Sequence, residues 1–296
     1  MIGSFGCDRL THFSVGTSVR CAEGLVSVQA RCCAAGQRVE HGHCVGKPER
    51  CPYGWLRLDT GCVISTGAVH VEPGKYSVGP NDWESEQVPP ASGHVSGFWM
   101  DATEVSNLAW ESCISARACV TVGTRGSTGL QEPGTPVVDV SAEQAALYCA
   151  WRGGRLLRSY EWLRVAAGEN SWRYPWGQTG LVCRRASFGL VQGPCAEGGS
   201  SPEWVGSRPD GKSERGLYDL VGNVREIVQS GEGGYALRGG SYRSDHAAEL
   251  KSWSLVPYTG PQSDVGFRCA YDHEPNPLFL RERSVSADDA DSTFIR

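Results

Sequence analysis

Apolar residues recur at helical spacing in three segments near the middle of the chain. The first follows Ser106, a residue suited to an N-cap, and runs through "NLAWESCI". The second is "VSAEQAALYCAWRGG", in which Ser141 and Gln144 have the spacing of a capping box and Gly153 is placed to end the helix. The third is "SYEWLRVAAG" at residues 159–168. The pattern therefore predicts three short helices.

Strand patterns lie on both sides of these helices. A strand is predicted around residues 95–100, another in "YALRGG" at 235–240, and a third in "VGFRCAYD" at 265–272, where apolar positions alternate with small or polar ones. The 38 glycines and 16 prolines indicate many turns, so we expect a loop-rich structure and not a helical bundle. Residues 273–296 are polar and are expected to form a tail or docking arm.

Residues 1–66 have a different character, with little helical or strand periodicity. They contain seven of the 13 cysteines: Cys7, Cys21, Cys32, Cys33, Cys44, Cys51 and Cys62. This density predicts a small loop-rich module held by disulfides. Zinc bound by His41, His43 and nearby cysteines is the alternative, but the spacing is not that of a zinc knuckle or ribbon. Because seven is odd, one thiol is free, reaches the next domain or pairs with another chain.

Composition narrows the classes of function. The net charge is −5 and no stripe of lysine or arginine occurs, which argues against nucleic-acid binding. No apolar run approaches the length of a membrane span. The number of cysteines indicates an oxidising compartment, so we expect a secreted, periplasmic or cell-surface protein. The first residues do not read as a signal peptide, and we therefore expect a mature or trimmed chain.

Six phrases between residues 67 and 272 together resemble a known family. They are "FWMDATEVSNLAW", "PVVDVSAEQAALYCAWRGGRLLRSYEW", "YPWG", "GLYDLVGNVREI", "LRGGSY" and "VGFRCA". In this order they are similar to the formylglycine-generating enzyme, or sulfatase-modifying factor, family. The resemblance implies an α+β domain at 67–272 that is a loop-rich variant of the C-type lectin fold. The preceding module, 1–66, is similar to segments that precede this domain in some bacterial proteins.

The resemblance also implies a disulfide. Cys149 and Cys269 match two positions that are bridged in the family's enzymes, and the bond would tie the second helix to the last strand. Two further bridges are predicted from local spacing. Cys113 and Cys119 lie in "CISARAC", and Cys183 and Cys195 close "CRRASFGLVQGPC".

The family's enzymes use two cysteines that bind copper(I), and these positions fall on Ser244 and Glu249. Neither residue can supply the soft thiolate that copper(I) prefers. The family's "GNxWEW" phrase reads "GNVREI" here, with Arg225 and Ile227 in place of both tryptophans. We therefore expect no copper and no copper-dependent formylglycine formation.

A calcium ion is the other feature that the resemblance implies. Its ligands would come from the turn at Gly222, Asn223, Val224 and Glu226, and calcium takes six to eight oxygen ligands. The alternative is a turn in which Asn223 and Glu226 only bond backbone amides. Both interpretations stay open at this stage.

Two classes of function compete. In the first, the chain is a non-catalytic module whose lectin-like loop face binds a protein, peptide or glycan. The residues expected on that face are Arg243, Asp245, His246, Trp253 and Tyr258. In the second, it is an enzyme acting on a protein or peptide, with chemistry rebuilt around Asp245, His246 and Glu249. This trio could also ligate a hard or borderline metal, although a solvated loop with a local ion pair is the interpretation that we favour. The missing thiols favour the first class.

Overall fold

The computed structural model describes residues 25–28, 31–40, 43–50, 55–57, 62–64, 67–78, 90–122, 132–181, 185–189 and 201–275. These ranges contain sixteen strands and three α-helices. The strands are β1 (Leu25–Val28), β2 (Arg31–Ala34), β3 (Arg38–Glu40), β4 (His43–Val45), β5 (Trp55–Arg57), β6 (Cys62–Ile64), β7 (Ala68–Val71), β8 (Gly74–Val78), β9 (Ala91–Val95), β10 (Phe98–Asp101), β11 (Arg155–Leu156), β12 (Arg225–Gln229), β13 (Tyr235–Arg238), β14 (Val256–Pro257), β15 (Val265–Gly266) and β16 (Cys269–Tyr271). The helices are α1 (Asn107–Ser115), α2 (Ala142–Trp151) and α3 (Ser159–Ala166).

The cysteine-rich segment contains three short antiparallel hairpins, β1–β2, β3–β4 and β5–β6. The sequence has little strand periodicity here. These strands are only three or four residues long, too short for an alternating side-chain pattern to stand out. A disulfide joins Cys33 on β2 to Cys44 on β4, so two of the cysteines weighed as zinc ligands are instead bonded to each other.

Two four-stranded sheets organise the larger domain. The first has the strand order β11-β16-β10-β7, with every pair antiparallel. The carboxylate of Asp101, at the end of β10, accepts hydrogen bonds from the Cys269 backbone amide at 3.1 Å and from the Tyr271 hydroxyl at 2.9 Å. The second sheet has the order β14-β13-β12-β15, in which β12 and β15 are parallel.

The caps of the helices follow the sequence. Ser106 Oγ accepts from the Ala109 amide at 3.2 Å, and the capping box of Ser141 and Gln144 closes in both directions, at 3.2 Å and 2.7 Å. Helix α3 begins at Ser159 as predicted but ends at Ala166, because Gly168 adopts the left-handed conformation with φ 62°. The predicted strand at 95–100 is divided between β9 and β10, which belong to two different sheets.

The core lies between the sheets and the first two helices. A disulfide joins Cys149 of α2 to Cys269 of β16 across 120 residues of sequence. Trp110 stacks on Tyr148 with ring centroids 5.5 Å apart, and Phe267 meets Tyr148 edge-on, also at 5.5 Å. These contacts bury a large aromatic surface and pack α1 and α2 against the segment between β15 and β16. None of the helices in the described ranges has the length and apolar character needed to span a bilayer.

One of the two predicted local disulfides lies within the described residues. Cys113 and Cys119 form a disulfide that closes the turn after α1. Cys183 and Cys195 lie outside the described residues, so their pairing stays a prediction.

Candidate functional site

A double-glycine turn places the candidate site. Strand β13 ends at Arg238, and Gly239 and Gly240 follow with φ of 91° and 67°. A Cβ on Gly240 would lie 2.7 Å from Leu250 Cδ2, so both the backbone conformation and the packing require glycine. The turn therefore directs residues 241–250 back over the end of the second sheet.

Ser244, the first position at which the family's enzymes carry a copper thiolate, is closed into this turn. Its side chain is buried, with 1% of the residue exposed. The Ser241 amide donates to Ser244 Oγ at 3.0 Å, and the Ser244 amide donates to the Ser241 carbonyl at 3.0 Å. Ser241 Oγ in turn donates to Asp264 Oδ2 at 2.7 Å. The Ser244 hydroxyl therefore stabilises the loop from within and is not presented to a ligand.

Glu249, the second such position, forms an ion pair. It lies in the 3-10 turn Ala247–Leu250, and its Oε2 is 3.2 Å from Nη2 of Arg225. Arg225 Nη1 is also 3.7 Å from Asp264 Oδ2. Arg225 is itself a departure from the family's tryptophan, so the two unusual residues meet each other in space. Together with Ser244 they form a hydrogen-bonded, charge-paired cluster at the positions that the resemblance assigns to the copper ligands.

Asp245, His246 and Glu249 lie close together at the surface. Their ligand-capable atoms are all within 4.8 Å of one another, so a metal could be reached by all three. However, the side chains of His246 and Asp245 are 75% and 52% exposed, and they contact each other as a local ion pair. Because Glu249 pairs with Arg225 instead, this arrangement agrees with the solvated loop favoured from the sequence.

The five residues predicted for a binding face fall into two groups. Arg243, Asp245 and His246 are exposed, and the Arg243 guanidinium lies 5.4 Å from the ring centre of Tyr242. Trp253 and Tyr258 are only half-buried and are engaged within the fold. Trp253 packs against the hydrophobic cluster of α3, and the Tyr258 hydroxyl accepts from the first amide of α2 at 3.1 Å. These two aromatic residues therefore have contacts within the fold, and their part in a binding face stays a prediction.

The four predicted calcium ligands do not form one open oxygen site. Glu226 is buried, with Oε1 accepting from Arg268 at 2.7 Å and Oε2 accepting from the Trp162 indole at 3.1 Å. Asn223, at φ 56°, uses Oδ1 to accept from the Glu203 amide at 2.9 Å. Gly222 and Val224 could offer only backbone carbonyls. Both side chains of the set thus have partners within the protein, and the calcium site stays a prediction.

A buried acidic cluster near this turn was not found from the sequence. Glu104, Asp219 and Glu226 are each at most 7% exposed. The positive charge of Arg268 acts on all three carboxyl groups and favours their ionised form. Burial and the neighbouring Asp219 raise the pKa of Glu104 well above its usual value, and burial raises the pKa of Asp219 to about 6. Both carboxyl oxygens of Glu104 are buried, and its side chain lies next to that of Asp219. The sequence feature that could have indicated this cluster is Glu104, a glutamate inside the largely apolar segment "WMDATEV" between β10 and α1.

This geometry defines a class of protein: a disulfide-stabilised α+β domain with two four-stranded sheets and few helices. The family model described as "Sulfatase-modifying factor enzyme 1-like domain" matches residues 60–273. The chain therefore belongs to the sulfatase-modifying factor family, which is also the family that the sequence resembles.

Individual relatives agree with this assignment. The chain is 35% identical over 155 residues to the mouse protein named "Inactive C-alpha-formylglycine-generating enzyme 2", covering 46% of this chain and 48% of that protein. It is 24% identical over 284 residues to the mouse formylglycine-generating enzyme, covering 71% and 76% of the two chains. The solved structure of PvdO from Pseudomonas aeruginosa has a similar fold, with a TM-score of 0.55 at 19% identity, covering 70% of this chain and 94% of PvdO. The chain spans about half the length of the first of these relatives.

Proposed function

We propose that this protein is a non-catalytic member of its family, and that it binds a protein, peptide or glycan through the loops that cover the former copper site. The observation that carries the proposal is the pairing of Arg225 with Glu249 beside the buried Ser244. A serine hydroxyl and a carboxylate are hard oxygen donors, whereas copper(I) selects thiolates. The name of the mouse relative, which calls that protein inactive, supports the same interpretation.

The surface available for binding is the loop after the double-glycine turn. It exposes two charged groups, Arg243 and Asp245, together with Leu255, which is 50% exposed. Protein-protein interfaces combine an apolar centre with a polar rim, and this loop exposes side chains of both kinds. We place this surface on a C-type-lectin-like fold, where loops and not the sheets supply the ligand contacts. The three disulfides of the described residues suit a secreted, periplasmic or cell-surface location.

Catalysis rebuilt around Asp245, His246 and Glu249 is the alternative. A general base or nucleophile needs a partner that orients it and surroundings that exclude water. Asp245 and His246 are exposed, and Glu249 is held by Arg225. The trio is therefore the weaker candidate.

The proposal is tested by anaerobic titration with Cu(I) and by incubation with a cysteine-containing sulfatase-motif peptide. Wild-type protein is expected to show no tight, thiol-dependent copper binding and no conversion of the peptide to the aldehyde. The double variant Ser244→Cys/Glu249→Cys is the matched control, since it restores both thiols in the same frame. Aldehyde formed by the wild-type protein would refute the non-catalytic assignment.

The binding half of the proposal needs its own measurement. Wild-type protein is screened on a glycan array and a peptide library, and each hit is repeated with the variant Arg243→Ala/Leu255→Ala. Leu147→Ala is the control, because Leu147 is 63% exposed but lies on α2. Loss of binding in the loop variant alone supports the assigned surface. Hits that are insensitive to the loop variant, or the absence of any hit, would count against it.

A further inference from the structure

A cavity of about 380 Å³ opens between the first turn of α3 and the hairpin turn that joins β12 to β13. Tyr160 of α3 and Tyr235, the first residue of β13, both line it. Its volume falls near the lower end of the range of about 300 to 1,000 Å³ that is usual for small-molecule sites. The cavity lies at the opposite end of β13 from the double-glycine turn. It is therefore a second site, beyond the loop surface of the proposed function.

The hairpin turn leaves this space free of side chains, because it carries glycine at two lining positions. A Cβ built on Gly231 or Gly233 meets no described atom within 4 Å. Gly233 also has a φ of 82°, a backbone conformation that favours glycine. The Gln229 amide donates to the Leu157 carbonyl at 2.8 Å, so the start of the turn is bonded to the segment that leads into α3. Both sides of the cavity are thus connected through the backbone.

The lining combines aromatic rings with polar side chains. Tyr160 is 39% exposed, and the half-buried Tyr235 packs edge-on with Tyr258, with ring centroids 6.1 Å apart. Gln229 and Ser230 also line the cavity, and neither side chain forms a hydrogen bond with a described residue. None of the described lining side chains is aliphatic. The apolar surface therefore comes mainly from tyrosine rings, with hydrogen-bonding groups beside them.

A charged ligand or an added peptide strand suits this lining less well. Arg158 is the one charged residue among the described lining residues, and its Nη1 already lies 3.2 Å from Glu161 Oε1. A peptide that extends a sheet needs unpaired backbone groups. Here the Ser230 amide donates to the Gly234 carbonyl at 2.9 Å, and the Gly234 amide donates to the Gly231 carbonyl at 3.4 Å. The turn therefore offers side chains to a ligand and not a free sheet edge.

We propose that this cavity binds a neutral saccharide of one or two pyranose rings. A pyranose has C–H groups on one face and hydroxyl groups around its rim. The C–H face stacks on a tyrosine ring, whose π surface is negative. The hydroxyl groups bond to the Gln229 carboxamide and the Ser230 hydroxyl, since each of these groups can both donate and accept. Aromatic walls with a few polar groups are the usual lining of a small-molecule site.

The test uses the full chain and saturation-transfer difference NMR with the methyl glycosides of glucose, galactose, mannose and N-acetylglucosamine. Glycerol, a polyol without a ring face, is the reference. We expect at least one glycoside to receive saturation mainly at the C–H protons of one ring face, and glycerol to receive none. Tyr160→Ala should weaken the dissociation constant about tenfold, because the exposed ring is lost. Tyr160→Phe keeps the ring and should retain binding.

Gln229→Met tests the hydrogen bonds separately, because it keeps the length of the side chain and removes the carboxamide. It should weaken binding about threefold or more while the melting temperature stays near that of the wild type. Leu147→Ala is the control, since Leu147 is 63% exposed on α2 and does not line the cavity.

Three results would overturn the proposal. The first is that no glycoside receives more saturation than glycerol. The second is glycoside binding that survives both Tyr160→Ala and Gln229→Met. The third comes from trialanine, which is included as a peptide probe: its binding in preference to every glycoside would assign the cavity to peptides.

Discussion

The buried carboxyl group of Asp219 should make the protein less stable as pH rises. Its side chain lies in the acidic cluster with Glu104 and Glu226, and it accepts a hydrogen bond from the Gly206 amide at 2.5 Å. Burial raises its pKa from 3.8 to about 6. Between these two values the folded protein holds a proton that the unfolded chain has released. The free energy of unfolding must therefore fall as pH rises through this window.

The magnitude follows from the difference in pKa between the unfolded and folded states. A difference of about two pH units corresponds to about 3 kcal/mol, since one unit is worth about 1.4 kcal/mol. This contribution is fully present below pH 3.8 and is lost once the pH exceeds about 6. Compared with a total stability of about 5 to 15 kcal/mol for a typical domain, the change is large enough to measure.

The perturbation is Asp219→Asn, which keeps the shape and an acceptor for the Gly206 amide but removes the titration. Denaturant unfolding with intact disulfides is followed between pH 4 and pH 8 for the variant and the wild-type protein. Relative to the wild type, the variant should gain about 3 kcal/mol of stability between pH 4 and pH 8. Glu214→Gln, an exposed carboxyl in the same region, should gain nothing comparable. A difference between Asp219→Asn and the wild type that does not change with pH would refute the reasoning.

Three further predictions concern the frame of the domain. Glu226→Gln should cost about 3 to 5 kcal/mol in the free energy of unfolding, because Arg268 is fully buried and would lose its anionic partner; pairing it with Arg268→Met should recover part of the loss. Replacing Cys149 and Cys269 by alanine should lower stability by up to about 5 kcal/mol in the chain-entropy model for a link across 120 residues, and denaturant unfolding measures it. Because Glu226 already pairs with Arg268 and Trp162, a calcium chelator should leave the melting temperature unchanged. A lower melting temperature in the chelator would instead support the calcium site.

Local structure was predictable where the signal is short in range. The capping box of Ser141 and Gln144 depends on a spacing of three residues, and it forms as expected. The start of α3 at Ser159 is a similar case. The division of residues 95–100 between two sheets was not predictable, because both halves have strand character and only the tertiary pairing separates them.

The position of the candidate site could be predicted from the sequence, but the contacts that its side chains make could not. The family's motif assigns Ser244 and Glu249 to the ligand positions by counting along the chain. That count does not reveal what Glu249 contacts, because Arg225 lies 24 residues away and is brought to it by β12 and the double-glycine turn. The contacts that Trp253 and Tyr258 make within the fold were not predictable for a similar reason. Large aromatic side chains can form a binding face or fill a gap in the core, and only packing distinguishes the two outcomes.

The pairing of Arg225 with Glu249 supports the proposal that this protein lacks the family's copper ligands. Simple loss of two thiols would leave unmatched polar groups or a void, either of which costs stability. Here the hydroxyl of Ser244 is hydrogen-bonded, and the carboxylate of Glu249 faces a guanidinium that occupies a family tryptophan position. The ion pair is partly exposed and contributes only about 1 kcal/mol or less, so stability alone does not account for it. The pair also links the 3-10 turn, which lies in the loop that carries the exposed side chains, to the first residue of β12. A surface held in this way suits recognition of a partner better than it suits an empty metal site.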